Sequence, residues 1–156
     1  ALVAAGLDVW VLRIRSIDDV ADQLPPLAGR IGVDWAMPPL PEPARAEPLR
    51  SAFVPIWKRP WMALGAPSYG ASVLERLGVD NVYATDGPYP TTTLEDAASR
   101  RPDVVIAPSE PYPFEERHRA ELESVAPTVF VDGKDLVWWG TRTAHALERL
   151  RAVIGV

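Results

Sequence analysis

From residue 52 onward, short apolar runs alternate with amphipathic stretches, and that alternation predicts βα units built around a parallel sheet. The runs "AFVPIW" (52–57), "NVYA" (81–84), "DVVIA" (103–107) and "TVFV" (128–131) are rich in β-branched and aromatic residues, which suit a buried pleated surface. An earlier run, "DVWVLRI" (8–14), has the same character. Helices are expected between them. "SYGASVLERLG" ends in Gly78, a natural helix stop, and "TTLEDAASRR" places Thr92 three residues before Glu95, the spacing of a capping box. "PFEERHRAELESV" has proline and two glutamates where a first turn favours them, and "TRTAHALERLRAVI" sets Ala144, Leu147, Leu150 and Ile154 on one face. The expected fold class is α/β: a three-layer, Rossmann-like lobe with a mostly parallel central sheet and flanking helices, spanning residues 51–156.

Residues 16–50 break this rhythm. "SIDDVADQL" predicts a short helix capped by Ser16, with Asp18 and Asp19 in its first turn. Beyond Leu24 the chain is crowded with prolines, Pro25, Pro26, Pro38 and Pro39 among them, so extended and turn conformations are expected, and 16–50 reads as a connector. Residues 1–15 read like the end of a helix running into a strand. The chain begins at Ala1 rather than Met, as expected of a processed or truncated chain.

Composition narrows the function classes. A chain of 156 residues, 47% hydrophobic and 24% charged, is enough for one domain with its own core. A net charge of -5 argues against a nucleic-acid partner, which requires a basic surplus to replace phosphate counterions. Without cysteine there are no disulfides, thiol nucleophiles or thiolate metal sites. No apolar run approaches the ~20 residues that span a bilayer.

In parallel α/β sheets ligands bind at the carboxyl ends of the strands, so the loops there carry the chemistry. The four predicted loops are "KRPWMALGAPSYG", "TDGPYPTTT", "PSEPYPFEE" and "DGKDLVWWGTRT". With Trp57 at the end of the first strand, eight of the thirteen aromatic residues fall there: Trp57, Trp61, Tyr69, Tyr89, Tyr112, Phe114, Trp138 and Trp139. Lys58, Arg59, Glu110, Asp132, Lys134, Asp135 and Arg142 join them. Flat apolar surface beside fixed charge suits a bulky ligand, although any single tryptophan could instead turn inward and cap the core. Lys58, Arg59 and Arg142 favour an anionic one.

In this order, "WKRPWM", "SYGASVLERLGVDNVYA", "GPYPTTTLEDAASRRPDVVIAPSEPYPF" and "VDGKDLVWWGTRT" resemble the C-terminal lobe of helical-backbone periplasmic substrate-binding proteins of ABC importers, the cobalamin and ferric-siderophore type. The resemblance covers about residues 52–154, and residues 1–15 resemble the remnant of a first lobe. It implies two α/β lobes joined by a long helix, with a metal chelate (ferric siderophore, cobalamin or haem) held passively between them. It further implies an extracytoplasmic location, periplasmic or anchored at the cell surface, and an ABC permease as partner. The connector departs from the family through its prolines. By position, Trp57, Trp61 and Met62 match the first cleft loop, Tyr89 the Pro-aromatic-Pro turn, and Asp135 and Trp139 the last cleft loop. Glu95 matches the glutamate that family members offer to permease arginines, and it is also the capping-box residue. Lys58, Arg59, Trp138 and Arg142 complete the expected ligand set.

No catalytic constellation, cofactor or protein-ligated metal is expected. "GAPSYGAS" mimics a phosphate-binding loop but has Ala71 where the lysine must stand. His118 and His145 lie far apart, and His118 is expected at the surface. Glu115 and Glu116 fit a solvated first turn, and no serine sits in a nucleophile elbow. Two other classes stay open on the residues alone: an α/β enzyme acting on an aromatic or phosphorylated small molecule, and a protein-interaction module, such as a homodimer substituting for the first lobe.

Overall fold

A computed structural model describes residues 2–41 and 48–156; residues 42–47 of the expected connector lie outside the described residues. Four parallel strands form the central sheet: β1 (Arg50–Phe53), β4 (Val79–Asn81), β6 (Val104–Pro108) and β7 (Thr128–Val131), in the order β4-β1-β6-β7. Helices α1 (Ile17–Arg30), α2 (Tyr69–Leu77), α5 (Gly133–Val137) and α6 (Thr143–Ile154) cover one face, where Ala52, Val104, Ile106 and Val131 point. On the other face Phe53, Val105 and Ala107 pack with Ala97 of α3 (Leu94–Ser99) and Leu122 of α4 (Arg119–Leu122). Alternate residues of β6 therefore serve different cores, which is why all five are buried and the run shows no polar alternation. The expected α/β lobe is the one observed.

The run 52–57 does not form one strand. Pro55 has no N–H to give to a neighbour, and β1 is flanked on both sides, so the chain must leave the sheet after Phe53. It enters an antiparallel hairpin of β2 (Pro55–Trp57) and β3 (Trp61–Ala63), extended by β5 (Thr91–Thr92). Likewise the expected strand 81–84 is displaced: β4 runs Val79–Asn81 and shares only Asn81 with it. Asn81 turns the chain by donating to the Leu64 carbonyl at 3.0 Å and accepting from the Tyr83 N–H at 3.0 Å.

Three further expectations are corrected. The helix begun by Ser16, which accepts from the Asp19 N–H at 3.0 Å, continues through Pro25 and Pro26 to Arg30. Both prolines are exposed, so the donors they lack are missing where water can substitute, while Ile17, Val20 and Ala28 hold the buried stripe. Residues 8–14 form no strand. Their backbone is met by side chains of α1 instead: Gln23 both accepts from the Arg13 N–H and donates to its carbonyl, at 3.0 and 2.9 Å. The cap of α3 is Thr93, which accepts from the Asp96 N–H at 3.1 Å, because Thr92 is drawn into β5 and its hydroxyl meets Tyr83.

Gly78 ends α2 in the left-handed region as expected, and α6 buries Ala144, Leu147, Leu150 and Ile154. The predicted helix beginning at Pro113 shrinks to a 3-10 turn (Glu116–His118) followed by α4. Gly65 joins the hairpin to the β4–β5 loop, with its N–H on the Pro88 carbonyl at 2.8 Å. A Cβ there would stand 2.0 Å from the Gly87 carbonyl oxygen and 2.7 Å from that of Tyr83, both backbone atoms. Gly65→Ala is therefore expected to destabilise the protein by about 1–3 kcal/mol, lowering the melting midpoint by several degrees in a calorimetric scan.

Candidate functional site

The chain visits β4 on one side of β1 and then β6 on the other, so the strand order reverses between β1 and β6. That reversal leaves a crevice at the carboxyl ends of the two strands. The β2–β3 hairpin and the loop after β6 meet there through aromatic rings. Trp57, 43% exposed, meets the Tyr112 ring edge-on at 5.7 Å, and Trp61 stacks on Phe114 at 5.9 Å with planes 7° apart. Tyr112 and Phe114 lean on each other at 4.8 Å.

His118 supports this group from below and corrects the expectation that it lies at the surface. It is 6% exposed, its ring lies edge-on to Tyr112 and Phe114, and its Nδ1 accepts from the Glu115 N–H at 3.1 Å. The signal was present in the sequence, since Phe114 and His118 are one helical turn apart. Glu115 and Glu116 are exposed at that turn.

The loop after β7 continues the surface. Asp132 caps α5 by accepting from the Lys134 N–H at 3.0 Å, and Gly133 lets the loop close on Glu110, where a Cβ would sit 2.3 Å from the Glu110 nitrogen. The Gly133 N–H also donates to Ser109 at 3.0 Å, so the loops after β6 and β7 are fastened together. Trp138, 52% exposed, donates its indole N–H to the Glu110 carboxylate at 2.9 Å, with the Lys134 ammonium 5.3 Å from its ring. Trp139 beside it is 39% exposed. Trp57, Tyr112, Glu110 and Trp138 thus form a connected line along the sheet edge. Tyr112, Phe114 and Glu110 were left out of the expected ligand set, although their loop was flagged.

The other expected residues take different places. Met62 is half-buried against the main core, next to the Trp61–Phe114 stack. Tyr89 is exposed, and the carbonyls of Pro88 and Pro90 on either side hold it to Gly65 and Ala63. Lys58 pairs with Glu121 of α4 and lies over the Trp61 ring at 5.6 Å. Arg59, at the hairpin tip, is exposed with φ 73.

Asp135 is 2% exposed and faces inward, gripped by Arg149 at 2.6 and 2.8 Å and by Arg142 at 2.7 Å. Burial alone would raise its carboxyl pKa; the hydrogen bonds and charges of Arg149 and Arg142 outweigh that and hold it below the usual carboxylate range. Glu95 is exposed in the first turn of α3. Its carboxyl is lowered by its own backbone N–H and then by the Thr93 hydroxyl.

The apparent phosphate loop is occupied by its own side chain: Ser68 caps α2 by accepting from the Ala71 N–H at 3.2 Å and donates to the Gly65 carbonyl at 2.6 Å. A cavity of about 640 Å³, lined by Arg15, Ser68, Ser72, Glu75 and Asn81 among others, lies beside α2 and touches none of the aromatic residues. At the aromatic edge Trp57, Trp138 and Trp139 remain exposed to solvent. Among the described residues, no cluster of three or more His, Asp or Glu side chains is placed to hold a metal ion.

No protein-family model matches the sequence, and no curated protein sequence matches it. Solved structures do. A possible iron-binding periplasmic solute-binding protein from Staphylococcus epidermidis superposes with a TM-score of 0.71 at 16% identity, covering 98% of this chain and 68% of that one. A periplasmic haem-binding protein from Pseudomonas aeruginosa gives 0.71 at 19% identity, covering 97% and 65%. A periplasmic vitamin B12-binding protein of Vibrio cholerae gives 0.63 at 15%, covering 99% and 67%. This chain has the fold of these solute-binding proteins and spans about two thirds of their length, which is the fold that the sequence resemblance implied.

The Asp135 pair yields a pH test. A carboxyl whose folded pKa is depressed adds stability that is fully present above its unfolded pKa, about 4, and is lost as pH falls through the folded value. Asp135→Asn should cost about 2–3 kcal/mol at neutral pH. The gap between the thermal midpoints of the variant and the parent should then narrow as the pH is lowered below about 4.

Proposed function

We propose that this chain forms the ligand-binding lobe of a substrate-binding component of an ABC importer, capturing a metal chelate, whether ferric siderophore, cobalamin or haem, on its aromatic edge. The observation that carries this reading is the line of rings at the crevice where the strand order reverses: exposed Trp57 and Trp138, with exposed Trp139 beside them and half-buried Tyr112 between. Exposed tryptophan of this extent is stable in water only at a cost, and large rigid rings supply contact area with little entropy to lose on binding. A chelate presents the broad, weakly polar faces that such rings accept. The three solute-binding proteins sharing the fold, whose names give iron, haem and vitamin B12 as cargo, support the same class.

On this reading binding is passive and the lobe is not an enzyme. Trp57, Trp61, Tyr89, Trp138 and Trp139 face or border the ligand, and Met62, packed against the main core, anchors the strand that carries Trp61. Asp135 orients Arg142 from behind rather than touching cargo. Glu95, exposed on α3, is the contact offered to a permease on the outer side of a membrane, where such a protein operates.

The test is a titration of the protein with haemin, cyanocobalamin and ferric siderophores, followed by tryptophan fluorescence. Saturable quenching by at least one of them is expected, and Trp57→Ala should weaken that binding about tenfold or more with far-UV circular dichroism unchanged. Absence of saturable quenching by all of them, with the full-length protein, rejects the reading.

A further inference from the structure

Lys58, Arg59 and Arg142 look alike in the sequence, yet the structure divides them. The Lys58 ammonium is closed against the Glu121 carboxylate with Trp61 beneath it, so its charge is already matched. Arg142 gives its terminal nitrogen to Asp135 at 2.7 Å. Among the described residues, Arg59 alone of the three has no ion pair, hydrogen bond or ring contact, and it is exposed.

Its backbone adds a second observation. Arg59 has φ 73, in the left-handed region, which residues with a Cβ rarely adopt. Glycine or asparagine would serve a hairpin tip more cheaply, so retaining arginine there calls for a use of its side chain. Arg59 lies two residues beyond Trp57, on the hairpin whose rings contact the β6 loop.

We infer that Arg59 is the residue that reads charge at this edge: its guanidinium engages the anionic rim of a chelate whose apolar face lies on Trp57 and Tyr112. The inference rests on the reading of this edge as a ligand site, and it narrows the cargo to anionic metal chelates with carboxylate or catecholate oxygens at the rim. A guanidinium offers paired, coplanar donors that fit such oxygens, and the pair gains strength where the aromatic wall excludes water. A neutral hydroxamate chelate or a corrin amide offers it no anion. Lys58 serves a different purpose, tying the hairpin to α4 through Glu121 so that the tip is held in place.

The experiment uses the whole chain and four probes: haemin, with a carboxylate rim; a ferric tris-catecholate; a neutral ferric trihydroxamate; and cyanocobalamin. One of the two anionic probes should bind more tightly than both neutral ones. Arg59→Gln should weaken that anionic probe by about tenfold or more while moving the neutral probes little, and Arg59→Lys should recover part of the loss. Lys58→Gln should shift all probes by a similar factor and lower the thermal midpoint, as expected of an anchor. If Arg59→Gln stays within about twofold of the parent for the anionic probe, or a neutral probe binds as tightly as the anionic ones, the inference is overturned and the proposed function still stands. If the parent protein binds none of the four, the proposed function falls, and the inference with it.

Discussion

The lobe depends on a missing N–H. Pro55 stands beyond the end of the central strand β1, separated from it by Val54 alone, and a strand flanked on both sides cannot carry a residue that has no donor for its neighbour. The chain therefore leaves the sheet at Val54, whose carbonyl takes the Leu64 N–H at 2.8 Å, and spends the next ten residues on a hairpin. That hairpin carries Trp57 and Trp61 over the crevice beside β6. Had the apolar run continued as one strand, both tryptophans would have been parts of the central sheet rather than neighbours of the crevice.

Once the hairpin stands clear, side-chain chemistry determines its position. The Trp61–Phe114 stack and the Lys58–Glu121 pair tie it to the β6 loop and to α4, while His118 braces the stack from the buried side. Farther along the edge, Gly133 allows the loops after β6 and β7 to touch, and the Trp138 indole closes on Glu110. These contacts join two cores on opposite faces of one sheet to a single edge. The inward Asp135 belongs to the same scheme: a buried carboxylate held by two arginines fixes α5 to α6, and with it the segment that carries Trp138.

Much of this was legible in the sequence, for identifiable reasons. The β6 and β7 runs were found because strands buried on both faces are continuously apolar, and α6 because its apolar residues recur at helical spacing. The loop aromatics were legible because the position of the loops follows from alternating elements. What the sequence hid depends on tertiary partners. "DVWVLRI" has the composition of a strand but no neighbour to pair with among the described residues, and Pro25 and Pro26 look like breakers until packing of Ile17, Val20 and Ala28 carries the helix past them. Likewise Lys58 and Arg142 read as free cations, because Glu121 and Asp135 are distant in sequence or face inward. Asp135 was matched to the last cleft loop through the family resemblance, and the sequence did not show that Arg142 and Arg149 hold it inward.

On the proposed function, cargo lies on the edge built by Trp57, Tyr112 and Trp138. The chain has six tryptophans, and Trp10 and Trp35 lie in the N-terminal part, outside the four loops, so their indole N–H signals serve as internal references. The most direct measurement is two-dimensional NMR of the ¹⁵N-labelled indoles during addition of a paramagnetic ferric chelate. With cargo on this edge, the signals of Trp57, Trp61, Trp138 and Trp139 broaden first and saturably, while those of Trp10 and Trp35 persist. Broadening centred on Trp10 or Trp35, or uniform across all six, would contradict it.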